Sequence, residues 1–476
     1  MKSMSAEKDG QSFALFWTIL SGSIIWFLPA PLGIEEQAWH LLAIFVATII
    51  GFITKPLPMG AVALIALTAL IISKTLTLAE GLSGFSHPTS WLTFSSFLIA
   101  RGFIKTGLAA RLAYLFIRVL GQNTLLLSYG LLATDLVLAP GMPSGNARAG
   151  GVIFPLVKSL AQIYKSEPHD GSSRRIGSFL MLTSFQGTQI TTALFFTAMV
   201  ANPLMASLAG EMVGFEFTWI TWALAALVPG MISLLLMPLI IYFYYPPEVK
   251  HTPEAPDLAR QKLNQMGRIS RSEWLMGGTF LLLLLLWIFG DYLGGIKSTT
   301  TALLGVALLV AARVLSWDEI IAEKKAWNIL LWFSVLLMMA SFLNEFGLIA
   351  WVSQQIGGVI DGFPWQPAFF LLSVVYFYNG YFFASKAARA SAMYAPFLSV
   401  ALVIGTPPIY AALVLAFLLN LSGCLTHYGT AVAPIYFGSG YIEVRIWWKL
   451  GFILSLVYFP IWLVVGGLWW QVLGLI

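Results

Sequence analysis

The sequence predicts an all-α polytopic membrane protein with about eleven transmembrane helices and two re-entrant hairpins in inverted repeats, and three observations carry that prediction. Apolar residues make up 58% of the 476-residue chain and charged residues 10%. A soluble domain carries about a quarter charged residues, so the charges here are too few to solvate the surface of so long a chain. Apolar runs long enough to cross about 30 Å of hydrocarbon recur throughout. The basic residues fall in alternate connections. A soluble enzyme, a disordered chain and a nucleic-acid binder are thereby excluded. The excess of 26 basic over 21 acidic residues reads as a loop bias, not as a nucleic-acid footprint.

Taken in order, the spans lie at 12–30, 38–54, 57–73, 89–106, 177–204, 218–243, 274–294, 298–314, 327–350, 409–437 and 450–474. The N-terminal MKSMSAEKDG lacks a small-residue cleavage site, so the first run reads as a retained span. Two more apolar regions, 122–163 and 365–405, are too long for one crossing and are broken by Gly, Ser, Asn and basic residues. That pattern fits hairpins that dip into the membrane and return. With the N-terminus cytoplasmic, only Lys74 and Lys297 fall outside, while Arg148, Lys386 and Arg389 fall in the interrupted regions. Outer loops carry Glu35, Glu36, Glu211, Glu216, Glu345 and Asp361 instead, as the positive-inside rule requires. The division is an N-terminal span (1–37), a first repeat (38–245), a polar cytoplasmic linker that starts proline-rich (246–273) and a second repeat (274–476).

The repeat is visible in the residues. Ser144-Gly145-Asn146-Ala147-Arg148-Ala149 with Pro155 is matched by Ser385-Lys386-Ala387-Ala388-Arg389-Ala390 with Pro396, at an offset of 241. Gly107-Leu108 returns as Gly347-Leu348, and the Thr197–Pro203 stretch is echoed from Thr430 to Pro434. The spans before the two hairpins run in opposite senses, so the repeats are inverted, which is the architecture of secondary transporters.

Arginines deep in a bilayer persist when paired, snorkelled or functional. Arg148 and Arg389, one per hairpin tip, could grip a substrate with two carboxylates through bidentate bonds. Alternatively each pairs with Asp135, a backbone carbonyl or a helix C-terminus. Ser144, Asn146 and Ser385 can cap the tip helices and donate to an anion there. Lys386 would repel Na⁺ and supply a fixed charge. A carrier that cannot shed such a charge crosses more easily loaded in both directions, as an exchanger. The other reading turns Lys386 to the outer water. In the interrupted spans, Asn202 and Thr430 are the side-chain donors singled out. His427 fits a proton site or a packing role. No P-loop, no HExxH pattern and no metal or cofactor site is present, and the single Cys424 excludes an intrachain disulfide. An intramembrane hydrolase is the remote alternative.

These stretches resemble a known family. AWHLLAIFVATIIGFITKPLPMGAVALIALT, LAPGMPSGNARAGGVIFPLVKSL, SSRRIGSFLM, YPPEVKHTPEAPDLARQKLNQMG, WNILLWF, YFFASKAARASAM, LTHYGTAVAPIYFGSGYI and LWWQVLGL are similar to the divalent anion:sodium symporter family. Within it they resemble the plastid-type 2-oxoglutarate/malate translocators and their bacterial relatives. The resemblance implies a homodimer with a scaffold and an elevator-like transport domain. Sodium-coupled members carry Ser-Asn-Thr at both tips; here Ser144-Gly145-Asn146 and Ser385-Lys386-Ala387 depart from it. Exchanger members have a basic residue after each tip, matching Arg148 and Arg389. The implied function is sodium-independent antiport of di- or tricarboxylates, 2-oxoglutarate against malate or succinate, with the tip residues, Asn202 and Thr430 binding the anion. The alternative is a Na⁺- or H⁺-coupled dicarboxylate or citrate symporter. The partners are these anions, the bilayer and a second copy, with no nucleic acid. The expected location is a bacterial inner membrane with a cytoplasmic N-terminus; a mature plastid protein would look similar.

Overall fold

Long apolar runs in lipid must satisfy their backbone internally, and this chain does so with helices. The computed structural model describes residues 2–348, 351 and 364–476, with side chains from residue 12 onward. The end of the predicted span 327–350 and the outer-loop Asp361 lie outside the described residues. The helices of the first half are α1 (Lys2–Phe27), α2 (Glu36–Thr54), α3 (Met59–Ile72), α4 (Leu78–Ser86), α5 (Pro88–Thr106), α6 (Leu108–Leu120), α7 (Thr124–Leu138), α8 (Phe154–Ile163), α9 (Gly177–Leu194), α10 (Ala201–Val213) and α11 (Trp219–Tyr244). The second half has α12 (Glu254–Met266), α13 (Arg271–Phe289), α14 (Ser298–Ala311), α15 (Trp317–Ala322), α16 (Lys324–Glu345), α17 (Trp365–Tyr378), α18 (Lys386–Val403), α19 (Pro408–Leu421), α20 (Ala433–Phe437), α21 (Val444–Pro460) and α22 (Gly466–Val472). Every predicted span contains a helix. Among the described residues, six stretches are long and apolar enough to cross a membrane, and four shorter apolar helices accompany them.

Both interrupted regions turn back on themselves. Thr124–Gly141 is long and apolar enough to cross, yet the chain leaves the helix at Ala139–Gly141 and is extended at Met142. Pro140 and Pro143 lack the backbone N–H that would continue it, and Gly141 disfavours helix. The return arm opens with a π-helical turn, Asn146–Ile153, before α8. Pro155 follows directly; its missing N–H removes one backbone bond, and the wide turn absorbs the loss. In the second region α17 ends in a short 3-10 turn, Asn379–Phe382, and α18 starts at Lys386. Two spans are broken: α9 and α10 flank extended residues Phe195 and Met199, and α19 and α20 flank the 3-10 turn Ser422–Cys424 and non-helical 425–432.

The same local geometry recurs along the two halves. Lys74 and Arg313 both adopt positive φ, 59° and 57°, closing α3 and α14. The bonds that follow match too: Leu76 N–H donates to Leu70 O at 3.2 Å and Leu315 N–H to Leu309 O at 3.1 Å. Capping boxes then open α4 (Thr77 with Glu80) and α15 (Ser316 with Glu319). Gly107 and Gly347 share φ values of 78° and 77°.

Packing gathers the site. Helices α7 and α8 lie against α9, α17 and α18 against α19, and α10 crosses α18 and α19. Every residue of α9 is buried, making it an axis of this group. A second group sets α16 against α3, α4 and α5, with α14 against α5 and α13. The polar linker departs from a plain tether, since half of it is helix α12, packed on α6 through buried Ala255 and Ala259. Ahead of it, Thr252 N–H donates to Gln122 O at 2.9 Å and Val249 N–H to Arg175 O at 2.9 Å, tying the linker to the start of the first hairpin and to the loop before α9. Behind it, Arg111 and Glu273 form a buried ion pair, with Nε–Oε1 at 2.5 Å.

Candidate functional site

The two hairpin turns and the two broken spans meet in the first group. Each break is sewn to the turn of its own half: Thr197 Oγ1 donates to Pro140 O at 2.6 Å, and Tyr428 Oη to Tyr381 O at 2.9 Å. The breaks are also joined to each other. Gln186 Nε2 donates to Cys424 O at 3.1 Å, and Asn420 Nδ2 to Asn202 Oδ1 at 2.8 Å.

Arg148 is fully buried. Its Nε donates to Asp135 Oδ1 at 2.9 Å, its Nη1 to Met142 O at 2.5 Å and Ala198 O at 3.1 Å, and its Nη2 to Thr191 Oγ1 at 3.5 Å. Thr191 Oγ1 in turn donates to Asp135 Oδ2. Of the two sequence readings, this structure holds the neutralised one: Arg148 pins the turn to the first break and its charge is cancelled by Asp135. Arg389 performs the same mechanical task with other partners. Its Nε donates to Asn379 Oδ1 at 2.8 Å, its Nη1 to Ser422 Oγ, and its Nη2 to Tyr376 O. The guanidinium carbon lies 5.0 Å from the Tyr376 ring centroid. No carboxylate pairs with it among the described residues.

Lys386 is 9% exposed, with Cε packed towards Gly423. It is therefore turned into the protein, against the reading that sends it to outer water, and no ion pair or hydrogen bond holds its ammonium among the described residues. Ser385 Oγ accepts from Ala388 N–H at 3.3 Å and Ser144 Oγ from Ala147 N–H at 3.4 Å, so both serines cap their arms. Gly145, Asn146 and Ala387 are half-buried at the tips. Asn146 Oδ1 is buried without a partner. Thr430 Oγ1 accepts from Ala433 N–H at 3.1 Å, opening α20, while its methyl faces Gly423.

Asn202 departs from expectation. Its amide donates to Thr192 O at 2.7 Å and Phe195 O at 2.9 Å, and its oxygen accepts from Asn420. Fully buried and fully bonded, it braces the first break and has no donor left for an anion. His427 is a packing residue: Nδ1 accepts from Trp448 Nε1 at 3.0 Å, and Phe437 lies 4.4 Å away, centroid to centroid. The sequence reading missed Tyr376, Asn379 and Ser422, and took Gln189 only as part of the polar stretch 186–192 that interrupts its span. One signal was present: the offset of 241 that relates the arginines also carries Asp135 onto Tyr376.

The sequence pattern of the sodium:sulfate symporter transmembrane region matches residues 10–476. A Bacillus subtilis (strain 168) protein named as a candidate malate transporter is 53% identical, covering 99% of this chain and 100% of its own. The spinach chloroplastic dicarboxylate transporter 1 is 49% identical over 97% of this chain and 81% of its own. The citrate/succinate antiporter of Escherichia coli (strain K12) is 34% identical, covering 99% and 100%. The crystal structure of the Alcanivorax borkumensis YdaH transporter matches with a TM-score of 0.55 at 14% identity, covering 98% of this chain and 97% of that one, a likeness of fold.

Proposed function

The chain belongs to the divalent anion:sodium symporter family of membrane carriers, which are not enzymes, and from that premise we propose that it exchanges dicarboxylates across the membrane without sodium, 2-oxoglutarate against malate or succinate. One observation supports this reading above the others. Lys386 and Arg389 are buried cations without carboxylate partners among the described residues, whereas Asp135 neutralises Arg148. A dicarboxylate would supply the two missing charges. Carrying them empty through hydrocarbon costs about 2.5–3.5 kcal/mol per charge on insertion scales. That cost favours return with a second anion. Lys386 is the group we assign to direct contact, with Ser144, Gly145, Asn146, Ser385, Ala387 and Thr430 lining the tips; Arg389 acts through its field.

In this reading residues 38–245 and 274–476 are inverted repeats about a cytoplasmic linker, the hairpin group moves against the α3–α5, α13–α16 scaffold, and two copies form the carrier. The N-terminus is cytoplasmic and the membrane is a bacterial inner membrane. Sodium coupling is the second reading, favoured by the family's description. Uptake of labelled 2-oxoglutarate into proteoliposomes, malate-loaded or empty, with and without Na⁺, separates them. Uptake confined to loaded vesicles and indifferent to Na⁺ is expected. Na⁺-driven uptake into empty vesicles would overturn the exchanger.

A further inference from the structure

We infer that Gln189 is the neutral neighbour that leaves the Lys386 charge uncompensated, and that Gly423 keeps open the slot in which the two side chains lie. Gly423 lies in the 3-10 turn where the second broken span stops. A Cβ there would come 2.3 Å from Gln189 Oε1, 2.5 Å from Lys386 Cε and 2.7 Å from Thr430 Cγ2. Three side chains from three elements thus converge on a position that can carry none. Gln189 comes from α9 of the first half and Lys386 from the tip of the second hairpin, so the slot bridges the halves. The amide is oriented: Nε2 donates to Phe185 O at 3.0 Å, leaving Oε1 to face the slot. Both residues are buried, at 2% and 9% exposure.

An amide oxygen beside an ammonium leaves its charge uncancelled. A carboxylate in its place would hold Lys386 as an ion pair and compete with the arriving anion. An amide instead leaves the lysine unpaired while the site is empty and free to meet a substrate carboxylate. Gln189 is on this account a positioning residue that keeps the charge of Lys386 available, and Gly423 supplies the room. The inference rests on the exchanger reading, in which that charge forbids empty return.

The test compares wild type, Gln189→Glu and Gln189→Leu in proteoliposomes, reading labelled 2-oxoglutarate uptake into malate-loaded and empty vesicles. Wild type is expected to need internal malate. Gln189→Glu should lower the loaded-to-empty ratio by about tenfold or more, because one fixed charge is cancelled, and raise KM. Gln189→Leu, which removes the oxygen but adds no charge, should keep the ratio while changing the rate. A Gln189→Glu protein with wild-type ratio and KM overturns the inference and leaves the exchanger standing. Wild-type uptake that is equal in loaded and empty vesicles overturns both. If Gln189→Glu does not reach the membrane, Gly423→Ala carries the test: filling the slot should separate Lys386 from Gln189 and raise KM severalfold, and an unchanged KM counts against the inference.

Discussion

In the first hairpin the buried arginine faces a carboxylate. In the second, the residue at the same spacing, Tyr376, offers a ring face and a backbone carbonyl. Both arginines do the same mechanical work, tying a turn to a broken span, through Ala198 and Thr191 on one side and Ser422 on the other. Only the electrostatics differ. The turn of the first hairpin is closed on itself, with Asp135 cancelling Arg148. The second keeps the Arg389 charge and adds that of Lys386. Two hairpins of like spacing thus differ in charge, and in the proposed exchanger it is the second that meets the anion.

The sharpest way to break this contrast is Asp135→Asn. It leaves Arg148 charged, buried and unpaired, and should cost about 3–5 kcal/mol, measured as a fall in thermal unfolding midpoint in detergent. A loss under about 1 kcal/mol would show that Arg148 does not depend on the carboxylate. Ser422→Ala comes next. It removes an acceptor from a charged donor and should cost about 1.5–3 kcal/mol in the same assay, and also weaken binding by loosening the second turn. Tyr376→Phe should stay within about 0.5 kcal/mol, because the Tyr376 hydroxyl has no partner and the ring face remains; a large loss would give the hydroxyl a role the structure does not show. The smallest effect lies outside the membrane. Lys105, 2.7 Å from Glu319, together with the Ser316 backbone, holds the Glu319 carboxyl below the usual carboxylate range. A depressed folded pKa contributes stability above the unfolded value and loses it as pH falls through the folded one. A modest acid-side drop in unfolding midpoint is expected, and Lys105→Met should reduce that drop.

Much of the fold was legible because lipid imposes strong rules. Run length located the spans, and interruptions located both hairpins. The breaks after Leu194 and Leu421 were visible as polar and proline residues in otherwise apolar stretches. Helix α12 was less so, because its burial on α6 depends on two alanines in a polar segment. At the site, residue type named the arginines and Lys386 but could not say which charges were cancelled. That depends on whether a neighbour across a turn is Asp135 or Tyr376. Asn202 looked like a free amide because its partners, the carbonyls of Thr192 and Phe195, exist only once the helix breaks. Gly423 carried no signal, since its meaning lies in the three side chains around it.

The central claim is that the uncompensated charge of Lys386 makes this carrier an exchanger. Lys386→Met in proteoliposomes tests it most directly, by the ratio of 2-oxoglutarate uptake into malate-loaded and empty vesicles. The account predicts that the ratio falls by about tenfold or more, as one fixed charge no longer opposes empty return. A variant that transports more slowly but keeps the wild-type ratio would contradict it.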